Sequence, residues 1–282
     1  MEFFRPENIN TAVTLLSQFG DKAVIVNGGT DIVEKISKGA VIPEAVIYVA
    51  KIEALSAIEE KDDNLVLGGA VTYLQMLQDA RIQKIRGLTQ AIRQLGSAPV
   101  RVMATPAGNV GTAAPSADCT AMLMALHANI HLVSTHGERT IPIENFFVKT
   151  YQTVRRPNEL IRAISFPSIH ADTGTGYIRL ARRKAQDIAK VLVSARITLE
   201  DGACTNASIG LGALNATAVR ASSIERALIG QRREGAIQLA RTTFPAEAGL
   251  RPSRFTHYKE LVTSTAVERA IAMAWDDAEG RE

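Results

Sequence analysis

Two stretches rich in glycine and small polar residues carry most of the chemistry that the sequence offers. The first stretch consists of Asn27, Gly28, Gly29, Thr30 and Asp31, between an apolar run predicted as a strand and a predicted helix. Glycines let a backbone turn tightly and approach a ligand closely, and the free N–H groups of such a turn attract anions such as phosphate. Taken alone, this stretch could equally be a simple turn between a strand and a helix, without a role in binding. Its spacing matches neither G-x-G-x-x-G nor the P-loop pattern, so these two nucleotide-binding motifs are excluded.

The second stretch covers residues 105–118, where small and turn-forming residues follow one another. A solvated loop explains such a segment when it is taken alone. Two glycine-rich stretches in one α/β domain are more informative, because a cofactor with a pyrophosphate group can lie across the domain and contact both. The residues that free the backbone or offer side-chain hydrogen bonds are Thr105, Gly108, Asn109, Gly111, Thr112 and Ser116.

Other residue types point to no catalytic site. His127 and His131 are four residues apart, but they span a predicted change from helix to strand and have no suitably placed carboxylate nearby, so a metal site is not favoured. The sequence contains no G-x-S-x-G motif, so a Ser-His-Asp hydrolase site has no support. Cys119 and Cys204 are the two cysteines, too few for an iron–sulfur cluster, a cysteine zinc site or a disulfide framework, and we expect them in the core. The charged segment at residues 183–191 taken alone is typical of a solvated turn.

Hydrophobic periodicity predicts the elements that position these stretches. An α/β unit comes first, and a second unit begins near residue 57 with Thr72 as a predicted helix N-cap. A polar linker at residues 168–175 is the candidate domain boundary, and three strands and then helices follow it. The predicted strands are 23–26, 45–49, 65–67, 129–133, 140–143, 160–166, 177–182, 191–200 and 207–214. The predicted helices are 11–19, 32–37, one after Thr72, 82–95, 119–128, 222–229, 235–241 and 258–275.

Length and composition exclude several classes of protein. The chain has 282 residues, of which 46% are hydrophobic and 22% charged, so it is neither disordered nor fibrous and is long enough for two domains. The net charge of +3, without a clustered basic stripe, does not indicate nucleic-acid binding. No apolar run reaches the roughly 20 residues of a membrane span, and no signal-peptide core follows Met1. These features predict a cytoplasmic globular protein without a membrane span.

Three motifs in order resemble the FAD-binding subunits of molybdenum hydroxylases, such as those of xanthine dehydrogenase and aerobic carbon monoxide dehydrogenase. The first stretch resembles the family's Ala-Gly-Gly-Thr-Asp motif. Residues 100–109, continued through Pro115 and Asp118, resemble Ile-Arg-Asn-x-Ala-Thr-x-Gly-Gly-Asn and the small residues that follow it. Residues 183–191 are similar to the family's Arg-Arg/Lys-x-x-Asp-Ile/Tyr-Ala element, and residues 210–220 resemble part of its C-terminal domain. The resemblance covers essentially the whole chain.

The resemblance implies an α+β fold of two domains. Residues 1–170 would form a two-part FAD-binding domain of the PCMH (vanillyl-alcohol-oxidase-like) type, with subdomains at about 1–56 and 57–170. Residues 175–282 would form a smaller domain of the carbon monoxide dehydrogenase flavoprotein C-terminal type, with a three-stranded antiparallel sheet and helices. Asp118 would lie near the flavin end of FAD, and Ile188 close to the isoalloxazine ring. The implied FAD-binding residues are Val26, Asn27, Gly28, Gly29, Thr30, Asp31, Thr105, Pro106, Ala107, Gly108, Asn109, Thr112, Asp118, Ile188 and Lys190.

The implied function is electron transfer within a larger complex, a heterotrimer or its dimer. A large subunit would hold the molybdenum cofactor and a small subunit the [2Fe–2S] clusters, and FAD on this chain would pass electrons to NAD⁺, oxygen or another acceptor. No side chain is expected to act as a catalytic acid or base. Two alternatives remain: a stand-alone FAD oxidoreductase of the same binding superfamily, and a flavin-free structural subunit.

Three positions depart from the family pattern. Asn27 stands where alanine is usual, Pro106 where an apolar residue is usual, and Ala107 where the first glycine of a Gly-Gly pair is usual. Alanine disfavours a positive φ, and proline has no N–H to donate. From these departures we expect an altered loop geometry or a weaker affinity for FAD, and they motivate the flavin-free alternative.

Overall fold

The structure is a computed structural model that describes residues 1–183 and 186–280. Two residues of the predicted charged segment, Lys184 and Ala185, and the last two residues of the predicted C-terminal domain lie outside these ranges. The described residues form a mixture of helices and sheets, as the α+β prediction requires.

A small parallel sheet with two helices forms the start of the chain. The strands lie in the order β1-β3-β2. Asn8 caps the first helix by accepting a hydrogen bond from the backbone N–H of Thr11 at 2.9 Å. The short edge strand β1 has three residues, too few for a readable alternation, and the sequence did not predict it. The elements are β1 (Glu2–Phe4), α1 (Ile9–Phe19), β2 (Ala23–Val26), α2 (Ile32–Ser37) and β3 (Ala45–Tyr48).

A five-stranded antiparallel sheet in the order β4-β5-β10-β6-β7 follows, accompanied by a two-stranded hairpin of β8 and β9. The predicted strands of this unit are found, and the sheet buries large side chains such as Phe166 and Leu67. The strands are β4 (Ile58–Lys61), β5 (Asn64–Gly68), β6 (Asn129–Ser134), β7 (Gly137–Pro142), β8 (Phe147–Lys149), β9 (Gln152–Thr153) and β10 (Leu160–Pro167).

The helices of this unit include two corrections to the sequence prediction. The predicted helix at 82–95 is divided into α4 and α5, because Ile85 leaves the helical region with φ −92° and ψ 84°. The predicted loop at 105–118 contains a helix, α7. Thr72 caps α3 through a capping box with Gln75, as predicted. The helices are α3 (Tyr73–Gln78), α4 (Ala80–Gln83), α5 (Arg86–Gln94), α6 (Ala98–Met103), α7 (Pro106–Thr112) and α8 (Thr120–Ala125).

The C-terminal part is an antiparallel sheet in the order β11-β12-β13-β14, covered by helices. The three predicted strands are present, but β14 adds a two-residue fourth strand that is too short for a sequence pattern. The last residues of the predicted linker at 168–175 already belong to β11. The elements are β11 (Thr173–Leu180), β12 (Val191–Glu200), β13 (Ala203–Gly212), β14 (Val219–Arg220), α9 (Ser222–Leu228), α10 (Arg233–Thr242) and α11 (Thr256–Ala278).

Close backbone packing joins the C-terminal sheet to its helices. A Cβ on Gly176 of β11 would lie 2.1 Å from the carbonyl oxygen of Ala270 in α11, and a Cβ on Gly210 of β13 would lie 1.9 Å from that of Ala121 in α8. The two glycines therefore let a helix lie directly against each strand. Because α8 belongs to the N-terminal half, some residues of the C-terminal part, such as Tyr177 and Leu192, pack into the core cluster of that half, while the C-terminal sheet and its helices also form a cluster of their own. Within the described ranges, no helix is both long and apolar enough to span a membrane.

Candidate functional site

A cavity of about 570 Å³ lies between the first and second stretches. It falls within the ordinary size range of small-molecule binding sites. Of the predicted site residues, Val26 and Pro106 are buried beside this lining, and Ile188 and Lys190 lie outside it. The predicted residues that line the cavity are Asn27, Gly28, Gly29, Thr30, Asp31, Thr105, Ala107, Gly108, Asn109, Thr112 and Asp118.

The first stretch forms the turn between β2 and α2, and both of its glycines are required by the backbone. A Cβ on Gly28 would lie 1.7 Å from the carbonyl oxygen of Met103, so only glycine lets the turn approach the end of α6. Gly29 has a φ of +71°, in the left-handed region that other residues rarely adopt. The turn is therefore fixed by backbone packing on one side and can present its N–H groups to the cavity.

The second stretch begins with a capped helix. Thr105 is the N-cap of α7, and its hydroxyl accepts a hydrogen bond from the backbone N–H of Gly108 at 3.0 Å. Pro106 occupies the first helical position, where the missing N–H would have no partner within the helix. Ala107 lies in the helix and is absent from the residues with positive φ. A helix accepts both residues. The expected effect of the two departures on the binding of FAD stays a prediction.

Asn27 connects the two stretches through its side-chain amide. Its Nδ2 donates to the carbonyl oxygen of Gly69 at 2.5 Å and lies 3.3 Å from the hydroxyl of Thr105. The alanine that is usual in the family at this position could make neither contact. The amide oxygen of Asn27 is buried and has no hydrogen-bond partner in the described chain, and the same holds for the amide oxygen of Asn109. Two buried acceptors among the lining residues are thus left for a ligand with donor groups.

Asp31 makes a second connection across the cavity wall. One of its carboxylate oxygens lies 2.6 Å from Nζ of Lys35 and 3.3 Å from the hydroxyl of Thr112 at the end of α7. The ammonium group of Lys35 also lies 5.1 Å from the centre of the Tyr151 ring. These contacts hold the beginning of α2 against the end of α7.

Asp118 links the cavity to the C-terminal sheet. Its carboxylate accepts a hydrogen bond from Nε of Arg179 at 2.7 Å, and its backbone carbonyl accepts one from the hydroxyl of Tyr177 at 3.2 Å. Burial raises the pKa of the Asp118 carboxyl, and the charge of Arg179 opposes this effect. Arg179 also donates to the backbone carbonyl of Asp187. One arginine therefore connects the cavity with the third motif.

Ile188 and Lys190 follow Asp187 in this third motif. The side chain of Ile188 is 65% exposed. The ammonium group of Lys190 lies 4.5 Å from the centre of the Phe255 ring, just before α11. The structure therefore places these two predicted residues beyond the Asp118 end of the cavity rather than in its lining.

Comparison with protein families decides the identity of this arrangement. A family model described as the FAD binding domain in molybdopterin dehydrogenase matches residues 1–169. A second model, described as the CO dehydrogenase flavoprotein C-terminal domain, matches residues 176–274. The chain belongs to the family of FAD-binding subunits of molybdenum hydroxylases. It is an oxidoreductase flavoprotein subunit.

Individual relatives agree with this family. The carbon monoxide dehydrogenase medium chain of Afipia carboxidovorans is 28% identical over 97% of this chain and 97% of its own length. The nicotinate dehydrogenase FAD-subunit of Eubacterium barkeri is 27% identical over 81% of this chain and 79% of its own. A solved structure of carbon monoxide dehydrogenase from Hydrogenophaga pseudoflava, which lacks the Mo-pyranopterin moiety, superposes with a TM-score of 0.88 at 27% identity and covers 98% of both chains.

The cavity of this FAD-binding subunit fits its cofactor in chemical terms. FAD carries sugar and ribityl hydroxyl groups that can donate hydrogen bonds, and the unpartnered amide oxygens of Asn27 and Asn109 can accept them. The backbone N–H groups of the glycine turn could donate hydrogen bonds to a phosphate group of FAD. The alternative of a flavin-free subunit was based on the expected change of loop geometry at Pro106 and Ala107. Both residues lie in the regular helix α7, so the backbone gives no support to this alternative.

Several lining residues of the flavoprotein subunit were missed by sequence reasoning. Arg155 is half-buried and lines the cavity. Burial lowers the pKa of its guanidinium group, which donates to the carbonyl of Glu159 at 2.7 Å. In the sequence, Arg155 was one half of a charged doublet and gave no signal of burial. Lys35 could have been found, because it follows Asp31 by four residues on a helix. Tyr151 gave no signal, since it lies between two very short strands.

The contacts of the histidines and cysteines considered above are those of structural residues. Nδ1 of His127 lies 3.2 Å from a guanidinium nitrogen of Arg220, and His131 lies between the hydroxyls of Ser165 and Thr140. In residues 1–183 and 186–280, no group of three or more histidine, cysteine or acidic residues could hold a metal ion. The two cysteines are free and buried, as expected for core residues.

Proposed function

We propose that this chain is the electron-transfer subunit of a molybdenum hydroxylase complex, a heterotrimer or its dimer. In this proposal, [2Fe–2S] clusters of a small subunit, reduced by the large molybdenum-cofactor subunit, pass electrons to FAD on this chain, which passes them to NAD⁺, oxygen or another acceptor. The observation that carries the proposal is the cavity between the two stretches, whose wall holds two buried amide oxygens that have no hydrogen-bond partner among the described residues.

The names of the relatives and the cysteine content support the assignment of FAD to this chain and of the iron–sulfur clusters to another subunit. Two relatives are named as a medium chain and as an FAD-subunit, which are names for parts of larger enzymes. This chain has two cysteines, and a [2Fe–2S] cluster is usually held by four. The clusters would therefore lie on a partner. We also propose that the FAD-binding domain ends near residue 170 and that the C-terminal domain begins near residue 175.

Each group of predicted site residues has a distinct role in the proposal. The backbone of the first stretch and the beginning of α7 would bind the pyrophosphate and ribityl chain of FAD. The amide oxygens of Asn27 and Asn109 would accept hydrogen bonds from its hydroxyl groups. Asp118 would lie near the flavin end, and Ile188 and Lys190 would border the isoalloxazine ring. The bound flavin supplies the redox chemistry, and these residues bind and orient it.

Titration of the purified, cofactor-free chain with FAD tests the binding site. We expect saturation at one FAD per chain, measured by flavin fluorescence and absorbance. Asn109→Ala should weaken the affinity about tenfold, which corresponds to about 1.4 kcal/mol, because one buried acceptor is lost. The matched control is Asn206→Ala, at an exposed position of the otherwise mostly buried strand β13, which should leave the affinity unchanged. A chain that stays colourless at saturating FAD would contradict the proposal.

Purification from the native host tests the subunit assignment separately. We expect the chain to co-purify with a cysteine-rich small subunit and a large subunit that contains molybdenum. Metal analysis and mass spectrometry of the complex would measure both. A lone chain that oxidises or reduces an organic substrate at full rate would instead support a stand-alone FAD oxidoreductase.

A further inference from the structure

His127 follows the end of α8, where the N-terminal half of the chain meets the C-terminal sheet. Its φ is +53°, and the N–H of the next residue, Ala128, donates to the carbonyl of Leu123 at 3.0 Å, so the helix end fixes the position of the imidazole. Nδ1 of His127 lies 3.2 Å from a guanidinium nitrogen of Arg220 in β14 and 3.6 Å from a carboxylate oxygen of Glu144. One ring nitrogen therefore lies between a cation of the C-terminal sheet and an anion of the N-terminal half.

Arg220 connects the two parts with its whole guanidinium group. Nε and one terminal nitrogen donate to the two carboxylate oxygens of the buried Glu225 in α9, at 3.0 and 2.6 Å. The other terminal nitrogen donates to the carboxylate of Glu144 at 3.1 Å and is the one that lies next to Nδ1 of His127. Because Glu144 belongs to the turn after β7, Arg220 binds one carboxylate on each side of the junction.

The hydrogen bond between Arg220 and His127 requires a neutral imidazole. A guanidinium group has donors only, so Nδ1 of His127 must accept and carries no proton. The charged groups that act on His127 are Arg220 and Arg196 of the C-terminal sheet, Glu144 of the N-terminal half and Glu225 of α9. Burial lowers the pKa of His127 most, the two arginines lower it further, and the two glutamates oppose them. The folded chain therefore favours the neutral form.

A proton on Nδ1 of His127 would change these contacts in a definite way. The imidazolium and the guanidinium of Arg220 would be like charges at 3.2 Å, and the new N–H would compete with Arg220 for the carboxylate of Glu144. Arg220 would keep its ion pair with Glu225, which lies on its own side of the junction. The contacts that weaken are therefore those that cross between the two parts.

The two ends of α8 are attached to the C-terminal sheet by different chemistry. Before the helix, the carboxylate of Asp118 accepts a hydrogen bond from Arg179 in β11 at 2.7 Å. After the helix, the imidazole of His127 takes the corresponding place beside Arg220 in β14. Histidine is the side chain whose ordinary pKa lies between about pH 5 and 8. The attachment at His127 can therefore respond to a change of pH near neutrality.

We propose that His127, Arg220 and Glu144 form a pH-sensitive clasp between the N-terminal half and the C-terminal sheet, which loosens when His127 takes up a proton. An unfolded histidine has a pKa near about 6.5, and the pKa in the folded chain is lower, so the unfolded chain binds this proton more readily. The clasp therefore contributes stability above about pH 6.5, and this contribution is lost as the pH falls below that value. No cofactor atom takes part, so the clasp is independent of the proposed electron-transfer function.

Denaturant titration of the chain at about pH 7.5 and about pH 5.5, on either side of the ordinary pKa of histidine, tests the clasp with the variant His127→Asn. Asparagine tolerates the left-handed φ, and its amide oxygen can accept from Arg220, but it does not titrate. Between the two pH values, the unfolding equilibrium constant of the original chain should rise up to about tenfold more than that of the variant. The control is His136→Asn, in the exposed turn between β6 and β7, which should behave as the original chain. Equal pH dependence in the original chain and His127→Asn would overturn the proposal.

NMR titration of the imidazole signals measures His127 directly, and the signal that is missing in His127→Asn assigns it. Glu144→Gln should lower the proton affinity of His127 about threefold, as expected for loss of a partly exposed ion pair. A midpoint for His127 at or above about pH 6.5 in the original chain would overturn the proposal.

Hydrogen exchange at about pH 5.5, below the ordinary pKa of histidine, locates the effect. The backbone N–H groups that pair β13 with β14 should exchange faster in the original chain than in His127→Asn at the same pH. Equal exchange at this pair of strands would show that the proton does not act on the junction and would also overturn the proposal. The cofactor-free chain serves for all three measurements, so a failure to bind FAD leaves their outcome unaffected.

Discussion

The first and second stretches line the same cavity, but their glycines have different surroundings. In the first stretch, a Cβ on Gly28 would overlap the backbone of Met103, and Gly29 has a left-handed φ of +71°. In the second stretch, a Cβ on Gly111 would meet Ile161 at 3.5 Å, an ordinary van der Waals distance. The first stretch needs glycine for its backbone, whereas the second is a helix that has room for a side chain at Gly111, although a Cβ on Gly108 would lie 3.1 Å from the hydroxyl of Thr105. Alanine at position 107, where the family pattern has a glycine, is therefore compatible with the backbone of this helix.

Gly28→Ala should have the largest effect in this comparison. Its Cβ would lie 1.7 Å from a backbone carbonyl oxygen, so the turn or the end of α6 must move. We expect the free energy of unfolding to fall by about 3 kcal/mol, at the upper end of ordinary single substitutions. Chemical denaturation measures this loss, and FAD retention should fall with it.

Gly111→Ala is the matched control for Gly28→Ala. The same methyl group is added in α7, where alanine has the higher helix propensity. Its unfolding free energy should stay equal to or rise above that of the original chain. Equal losses in the two variants would show that the contrast between the stretches is wrong.

The contrast also shows what the sequence could and could not predict. The turn at Gly28 and Gly29 was predictable, because a glycine pair between an apolar strand and a helix has few other uses. The helix α7 was not, because its sequence of small residues and glycines has low helix propensity. The cap at Thr105 and the packing around it decide the helix, and these depend on Asn27, which is distant in sequence.

The Asp118 end of the site shows the same limit of sequence-based prediction. Asp118 was predicted through a motif, but its partner Arg179 lies on β11 and has no sequence signal that links the two residues. The pair forms only because α8 packs on the C-terminal sheet, which is a tertiary event. Motifs predicted which residues are used, whereas long-range packing determines how they meet.

Thr105→Val should have the next largest effect, because it removes the hydroxyl that both caps α7 and contacts Asn27 of the first stretch. The buried Thr105 accepts from Gly108 and contacts Asn27, and valine has nearly the same shape without the acceptor. Loss of an N-cap costs about 1–2 kcal/mol. Denaturation should show this loss, and the affinity for FAD should fall about tenfold because α7 is no longer fixed.

Ser97→Ala provides the comparison for Thr105→Val. Ser97 holds the N-cap position of the neighbouring helix α6, but its side chain makes no capping hydrogen bond. Its replacement should change the unfolding free energy by less than about 0.5 kcal/mol. A loss at Ser97 as large as that at Thr105 would argue that the hydroxyl of Thr105 has no special role.

Gly29→Ala should cost about 1 kcal/mol, since alanine is strained at this left-handed φ. Gly39→Ala is the matched control, because Gly39 has a similar φ of +68° with open space around it and does not line the cavity. Both variants should lose stability in denaturant titrations, and Gly29→Ala should lose slightly more, because its Cβ would lie 3.0 Å from a methyl group of Val33. Only Gly29→Ala should lose affinity for FAD, and an equal loss of affinity at Gly39 would contradict a specific role for the first stretch.

Ala107→Gly should have the smallest effect and is the most direct test of the contrast, because it restores the glycine of the family pattern. If residue 107 needed a positive φ, glycine would strengthen FAD binding. Because Ala107 is helical, glycine should lower the unfolding free energy by about 0.5–1 kcal/mol and leave the affinity for FAD unchanged. Fluorescence titration and denaturation of the same preparation measure both quantities. A tighter complex with FAD would mean that residue 107 adopts a positive φ, outside the helix, when the cofactor is bound. Alanine at this position would then weaken the binding of FAD.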